Sequence, residues 1–550
     1  MKGAALSAIA LLLGASAFLG PWDPVDASIS SATTTSAPVR ARNDAGAPDL
    51  PRVTVDVPAI APAGRTVHVP AGGNLQAAID DARGGDAISL EPGAIYHGPF
   101  HLPQKDGGRW IVIASTALHL LDSGRHVVPA DGRKMPRLVS SSGPVFLADP
   151  GAHHYRLAGL EIAPADGVAL NTLVQLGDGA RTTAALPHHL IIDRCYLHGD
   201  PVEGTRRGIS LNAASVAVVD SYLSDFKARA ADAQAIAGWN GPGPFRIAGN
   251  YLEASGENVM FGGGDPSISG LVPADIEVVR NHLAKPLRWR KQDPSFDGTE
   301  WAIKNLFELK NARRVLIDGN LFEYNWPHAQ NGFAILFTVR NQDGGAPWSV
   351  VEDVTFSNNV VRHVAAGINV LGHDDNHPSQ QTRRIAIRNN VFLDVGGAWG
   401  NGRLFQLLDG TSGVTVVHNT AFQTGSILFG GDHAPHAGFV FRDNVVPHNE
   451  YGMTASGTGP GTQTLDRFFP RADVRGNLIL GAKAAAYPKG NAFPASWSDI
   501  GVSGRSGAEL AEHLHVRGRY ARAGTNRSQP GADIQAVIKA CGPLAPKIGS

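Results

Sequence analysis

The sequence predicts an all-β solenoid: one stack of about ten coils, three short strands to a coil, with a helix over its N-terminal end. Three observations carry this. A short phrase recurs, with alternating apolar residues, then Asn, then another apolar pair, as in Phe245–Leu252, Ile276–Leu283, Val315–Phe322, Val354–Val361 and Ile385–Phe392. Its Asn positions are Asn250, Asn281, Asn320, Asn359, Asn390, Asn419, Asn444 and Asn477, with Cys195 and Ser221 as earlier degenerate copies. They stand 25–39 residues apart, a period that marks stacked repeats. The apolar runs are also short and alternating, as strands are, rather than spaced at i, i+3, i+4 and i+7 as helices are.

Taken in order, residues 1–27 read as a secretory signal. Lys2 supplies the positive start, Ala4 to Leu13 the apolar core, and Ala15-Ser16-Ala17 a small-residue cleavage site. Residues 28–64 are rich in Ser, Thr, Ala and Pro and read as a flexible leader. The solenoid is placed at 65–485. It enters through Val67-His68-Val69 and a helix N-capped by Asn74, with Leu75, Ala78, Ile79 and Ala82 on one apolar face and Gly84-Gly85 at its end. Each phrase is preceded by another strand, as in Leu306–Leu309, Ala334–Phe337, Ile368–Leu371, Leu404–Leu407 and Ile427–Phe429. Asn suits the sharp turn because it tolerates left-handed backbone angles, and stacked Asn side chains can bond along the stack. Two turns per coil are expected to be short and the third variable. Residues 486–550 are expected to cap or brace the last coils with short helices near 507–515 and 532–540. Cys195, early in the stack, and Cys541, expected at its far end, are not expected to pair.

This pattern resembles the right-handed parallel β-helix superfamily that includes the pectate lyases, over roughly residues 66 to 482. In that superfamily a substrate lies along the outside of the strand that precedes the Asn-bearing strand. The resemblance therefore directs attention to polar residues on those strands: Glu308 and Lys310, then Thr338 and Arg340, then Asn369 with His373, Asp374 and Asp375, then Gln406 and Asp409. The coil before gives Asn258 and, after Gly262-Gly263-Gly264, Asp265. The glycines point to close approach of a backbone or a ligand.

A shorter stretch, Phe307-Glu308-Leu309-Lys310-Asn311-Ala312 followed by Asp318-Gly319-Asn320-Leu321-Phe322, resembles a segment of the alginate lyase and chondroitin B lyase family. That resemblance implies Lys310 as catalytic base with Arg340 as its partner, and Glu308 and His373 join them as catalytic candidates. Asn369, Gln406, Asp409, Asn258 and Asp265 are the candidate substrate-binding residues. The family places acidic calcium ligands just before the Lys strand. Here those positions read Ile303, Lys304 and Asn305, so calcium is left open, with Asp374 and Asp375 as the candidate metal ligands.

The chemistry expected is β-elimination on a uronate-containing polysaccharide. A lyase must neutralise the carboxylate, take the C5 proton and protonate the leaving oxygen. The alternatives are a glycoside hydrolase using the Asp pair, or a solenoid that only binds carbohydrate. A second cluster, Asp432, His433 and His436, adjoins the first. Six Trp residues, Trp239, Trp289, Trp301, Trp326, Trp348 and Trp399, are either sugar platforms or packing plugs. The net charge of -1 gives no electrostatic case for nucleic acid. No stable membrane insertion is expected, and the chain reads as a secreted or periplasmic monomer.

Overall fold

The computed structural model describes residues 46–431, 433–502 and 514–544; the secretory signal expected at 1–27 lies outside them. Three all-parallel sheets run the length of the stack. The first has 14 strands, from Thr66–Val69 to Asp473–Arg475. The second has 13, from Ile95–His97 to Leu478–Leu480, and the third 12, from Phe100–Leu102 to Met453–Thr454. One coil reads Phe307–Leu309 in the third sheet, Ala312–Asp318 in the first and Leu321–Asn325 in the second, before Phe333–Thr338 opens the next coil. The stack is longer than the ten coils expected because its first coils lack the Asn signal. Leu160, for instance, stands where later coils place Asn, just before the strand Glu161–Pro164.

Alternation along each strand sends every second side chain inward. In the third sheet Val259, Phe307, Ile335, Ile368 and Phe405 stack in register. In the first, Ile317, Phe356, Ile387 and Val416 do the same. All are at most 1% exposed, and each such side chain contributes about 2 kcal/mol by leaving water.

The Asn ladder is present. Asn320 is representative: its backbone N–H and its Nδ2 both donate to Asn359 Oδ1, at 2.9 and 3.0 Å, and Nδ2 also donates to the Val278 carbonyl at 2.8 Å. The left-handed residue is not the Asn, as its turn propensity led one to expect, but the residue before it: Arg280, Gly319, Asn358, Asn389, His418 and Asp443 all have φ between 54 and 65°. The Asn is selected for its amide: Asn320 Oδ1 accepts from the Asn281 N–H while Nδ2 serves the Val278 carbonyl and the next Asn at once. The ladder also runs one step further than the sequence indicated, because Asn477 donates to Asn491 Oδ1.

Only the Asn turn is uniformly short. Both turns flanking the third sheet vary, through 285–306, 326–332 and 396–404 on one edge and 262–273, 339–350 and 372–382 on the other. One variable turn was expected; two place long loops on both sides of the third sheet.

The helix Leu75–Asp81 forms as expected. Asn74 accepts from the Ala77 N–H, and Leu75 and Ile79 join the main core. Two terminal segments differ from expectation. From Asp49 onward the stretch read as a flexible leader is a strap across the outer face of the first sheet. The Asp49 N–H donates to Asp353, the Arg52 N–H to Asp275, and the Thr54 hydroxyl to Glu277. Val55 is buried with Ile191, Ala217, Val219 and Ala248. A single apolar anchor and a file of paired backbone groups hold what composition alone marked as unstructured.

At the other end, most of the helix expected near 507–515 falls outside the described residues, and the second runs Ile534–Cys541. It does not sit on the last coil. The chain returns along the Asn corner, with Thr525 on Asp443, Ala532 on Thr420 and Asp533 on Asn389. Cys541 therefore ends beside Asn358 in the middle of the stack, not at the far end, and both cysteines are free and buried. Among the described residues no helix is long and apolar enough to cross a membrane.

Candidate functional site

The outer face of the third sheet, between its two banks of loops, carries the expected row, but its register differs in detail. Glu308 stands between Met260 and Leu336, and Asn369 between Leu336 and Gln406. Apolar side chains thus interrupt the polar row.

Lys310 leaves the end of the strand Phe307–Leu309. Its Nζ lies 3.4 Å from Glu308 Oε1. Glu308 is 1% exposed and also accepts from Asn305 Nδ2 and Thr338 Oγ1, each at 3.3 Å. Gly262 makes room for this lysine, and Gly263 for Met260. A Cβ on Gly262, whose φ is +95°, would come within 2.8 Å of Lys310 Cβ and 2.7 Å of the Asn311 nitrogen. Gly262 therefore marks close approach of backbone and lysine stem.

Arg340 is on the adjacent coil, its N–H donating to the Lys310 carbonyl at 2.9 Å. Its guanidinium turns to the following coil and pairs with both Asp374 and Asp375. Asp374 is buried and also accepts from the Asn341 N–H at 2.7 Å. Burial works against charge on Asp375, yet the Arg340 hydrogen bond and charge hold it below its usual range. This pair is spent on Arg340 and does not present a metal site.

The remaining candidates separate. Asn369 Oδ1 accepts from Gln406 at 3.1 Å, and Gln406 in turn pairs with Arg403, so these two do lie on the outer face. A cavity of about 460 Å³ beside them is lined by His328, Gln330, Asn401 and Arg403. His373 Nδ1 donates to the Asp409 carbonyl at 3.1 Å, and the Asp409 carboxylate meets His433 at 3.1 Å. Asp432 is outside the described residues. His436 is buried among Thr411 and the Gly430 carbonyl; burial lowers it to about 4.

Two expected binding residues do not face the groove. Asn258 is fully buried; its amide donates to the Leu252 and Ala284 carbonyls and its oxygen accepts from Lys285. Asp265 clamps the loop at 343–345 by accepting two backbone N–H groups. Trp289, Trp301 and Trp326 form a buried cluster and are packing plugs.

The residues that sequence reasoning missed are Glu257, one coil before Lys310, Asp232, two coils before it, and Lys304 on the Lys310 coil itself. Glu257 is fully buried, accepts from Gln234 Nε2 at 2.9 Å and lies 3.6 Å from Lys304 Nζ. Lys304 also meets Asp232 at 2.6 Å. Burial, then the charges of Glu308 and Asp232, push Glu257 up to about 7 despite Lys304. No spacing distinguishes such a buried acid from an outward one; only the proximity of Glu308, fifty-one positions on in the chain, reveals it. Two carboxylates on adjacent coils thus lie beneath two ammonium groups, and each lysine side chain is less than a fifth exposed.

Calcium does not fit here. Lys304 and Lys310 already bring positive charge to Asp232, Glu257 and Glu308, the acidic groups that a calcium ion would need.

No family model matches the chain, and no curated protein matches its sequence. Solved structures do match. The PL6 family alginate lyase AlyGC aligns with 14% identity and a TM-score of 0.52, over 87% of this chain and 57% of its own, so the chain spans little more than half of that lyase. The catalytic unit of a thermostable GH87 α-1,3-glucanase from Streptomyces thermodiastaticus strain HF3-3 aligns at 13% identity and a TM-score of 0.49, over 81% and 72%. Pectate lyase Pel9A aligns at 13% and 0.28, over 84% and 92%. With its three continuous parallel sheets, the chain has the parallel β-helix fold, as does the alginate lyase AlyGC with which it aligns.

Proposed function

We propose that the protein is an exported enzyme that cleaves a uronate-containing polysaccharide by β-elimination in the groove over the third sheet. The observation that carries this reading is the pair of lysines, Lys304 and Lys310, which flank one third-sheet strand and are held by carboxylates buried on adjacent coils. Lys304 meets the uronate carboxylate and favours the enolate that forms when the C5 proton leaves. Lys310, once it has passed a proton to Glu308 3.4 Å away, takes the C5 proton. The C4–O bond then breaks as the C4=C5 double bond forms, and the leaving oxygen takes a proton from solvent or from His373 at the rim. Arg340 anchors the far bank by holding Asp374 and Asp375 and borders the same groove. Asn369 and Gln406 contact sugar hydroxyls two coils on.

A second reading is favoured by Glu257. A carboxyl held near neutrality beside another carboxylate is the pairing a glycoside hydrolase uses for its general acid.

The test is a panel of alginate, pectate and glycosaminoglycans, followed by ultraviolet absorbance. Unsaturated products support elimination. New reducing ends without that absorbance support hydrolysis. Neither signal leaves a carbohydrate-binding solenoid. If elimination occurs, Lys310→Ala should reduce turnover at least about a thousandfold, and Lys310→Arg, which keeps a positive charge beside buried Glu308, should also lose turnover while shifting the thermal midpoint less than Lys310→Ala does.

A further inference from the structure

We propose that His154, His188 and His189 form a binding site for a divalent late first-row cation of the zinc class, on the outer face of the first sheet beneath the N-terminal strap. This face is not the groove of the third sheet, and the inference does not depend on the reading above.

Two consecutive first-sheet strands, His153–Ala158 and His188–Asp193, both begin with a His-His pair. Parallel register places His188 directly above His153. The second His of each pair is left-handed, with φ of 58° and 53°, so both members of each pair crowd onto the same side. The result is a two-by-two array. His153 and His188 stack at 4.8 Å, and His154 and His189 at 4.6 Å. Within each pair the Nδ1 atoms are 2.9 and 2.7 Å apart.

One nitrogen from each of His154, His188 and His189 lies within 4.8 Å of the other two. A tetrahedral ion with metal–nitrogen bonds of about 2.0 Å needs them about 3.4 Å apart, which a small inward tilt of the rings supplies. An all-imidazole set selects zinc, nickel or copper over magnesium and calcium. Trp110 packs its edge against His154 at 5.3 Å and limits that ring's freedom. A cavity of about 700 Å³, roofed by Thr54, Asp56 and Pro58 of the strap, opens over the array. Three protein ligands with an open fourth position facing a cavity are the arrangement of a site that exchanges a bound water or ligand.

The competing account is that the four imidazoles simply stack on one another. The two accounts are separated by titrating the untagged, chelator-stripped full chain with Zn(II) by calorimetry and with Co(II) by visible absorbance. The expected result is one ion per chain, tetrahedral-type Co(II) bands, and a thermal midpoint raised by Zn(II). His154→Gln, His188→Gln and His189→Gln should each weaken binding at least about tenfold, with far-UV circular dichroism unchanged. Should a variant fail to fold, the corresponding His→Asn change is used for the same comparison. No binding to the wild-type chain overturns the proposal, as does binding that survives all three changes undiminished.

Discussion

Glu257 shows how much a single buried acid can tell about conditions of use. Its folded pKa of about 7 stands above the usual carboxylate value. The folded state therefore binds that proton more tightly than the unfolded state. Its destabilising effect is absent below the unfolded pKa, grows as pH rises, and is complete once pH passes about 7. Glu257→Gln removes the effect. Between pH 5 and 8 the wild type should lose about 2–3 kcal/mol relative to the variant, read from urea midpoints at each pH. Equal slopes for the two proteins would show that Glu257 is ionised throughout. At this scale the sequence was legible where a residue's place followed from the repeat. Lys310, Arg340 and Glu308 were found because they could be counted back from Asn320 and Asn359. Asn258 was misread because it lies at a strand start, where the strict in-out alternation is lost, and its amide serves buried carbonyls. Glu257 was missed because acidic residues are presumed outward, and nothing local to it says otherwise.

Among elements, the Asn corner is where most cooperativity between neighbouring coils resides. Asn359 accepts from Asn320 twice and donates to the Ile317 carbonyl and to Asn390. Asn359→Ala leaves buried donors and acceptors unmet and should cost roughly 2–4 kcal/mol by chemical denaturation. Asn491→Ala, at the half-buried end of the ladder, should cost about 1 kcal/mol or less. Similar costs at both sites would mean that the ladder does not gain strength from burial. Gly319 supplies a different kind of test. It has φ +65°, and a Cβ there would stand 2.4 Å from the Ala540 carbonyl. Gly319→Ala combines backbone strain with displacement of the helix Ile534–Cys541, and should destabilise by more than the approximately 1 kcal/mol that strain alone implies. The repeat made these corners legible. It could not show what packs on their outside, because that partner comes from a distant segment with no repeat of its own.

For the molecule as a whole, the ends matter as much as the stack. The C-terminal return covers Leu321, Val360 and Val391 with Ile534, Val537 and Leu544. A chain ending at residue 513 keeps every coil yet exposes that apolar strip. It should bind a hydrophobic dye and melt earlier, with about 2 kcal/mol lost per large side chain uncovered. Unchanged melting would show that the coils are self-sufficient, as expected of a repeat array with only nearest-neighbour coupling. The solenoid was legible wherever the phrase recurs, from Cys195 to Asn477; its first coils, which lack the Asn signal, were undercounted. The two straps were not. Strap residues 49–58 and 525–544 carry no period, and their placement depends on surfaces that exist only after the coils have formed.

That dependence has a consequence for the order in which the protein can be made. Coils that touch only their neighbours can close one after another as a chain is synthesised. Here residues 525–544 must return to the middle of a stack whose coils precede them in the chain. Until they arrive, that corner remains a sticky, unfinished seam. Closure of that seam thus waits on residues 525–544, whatever the coils have already done.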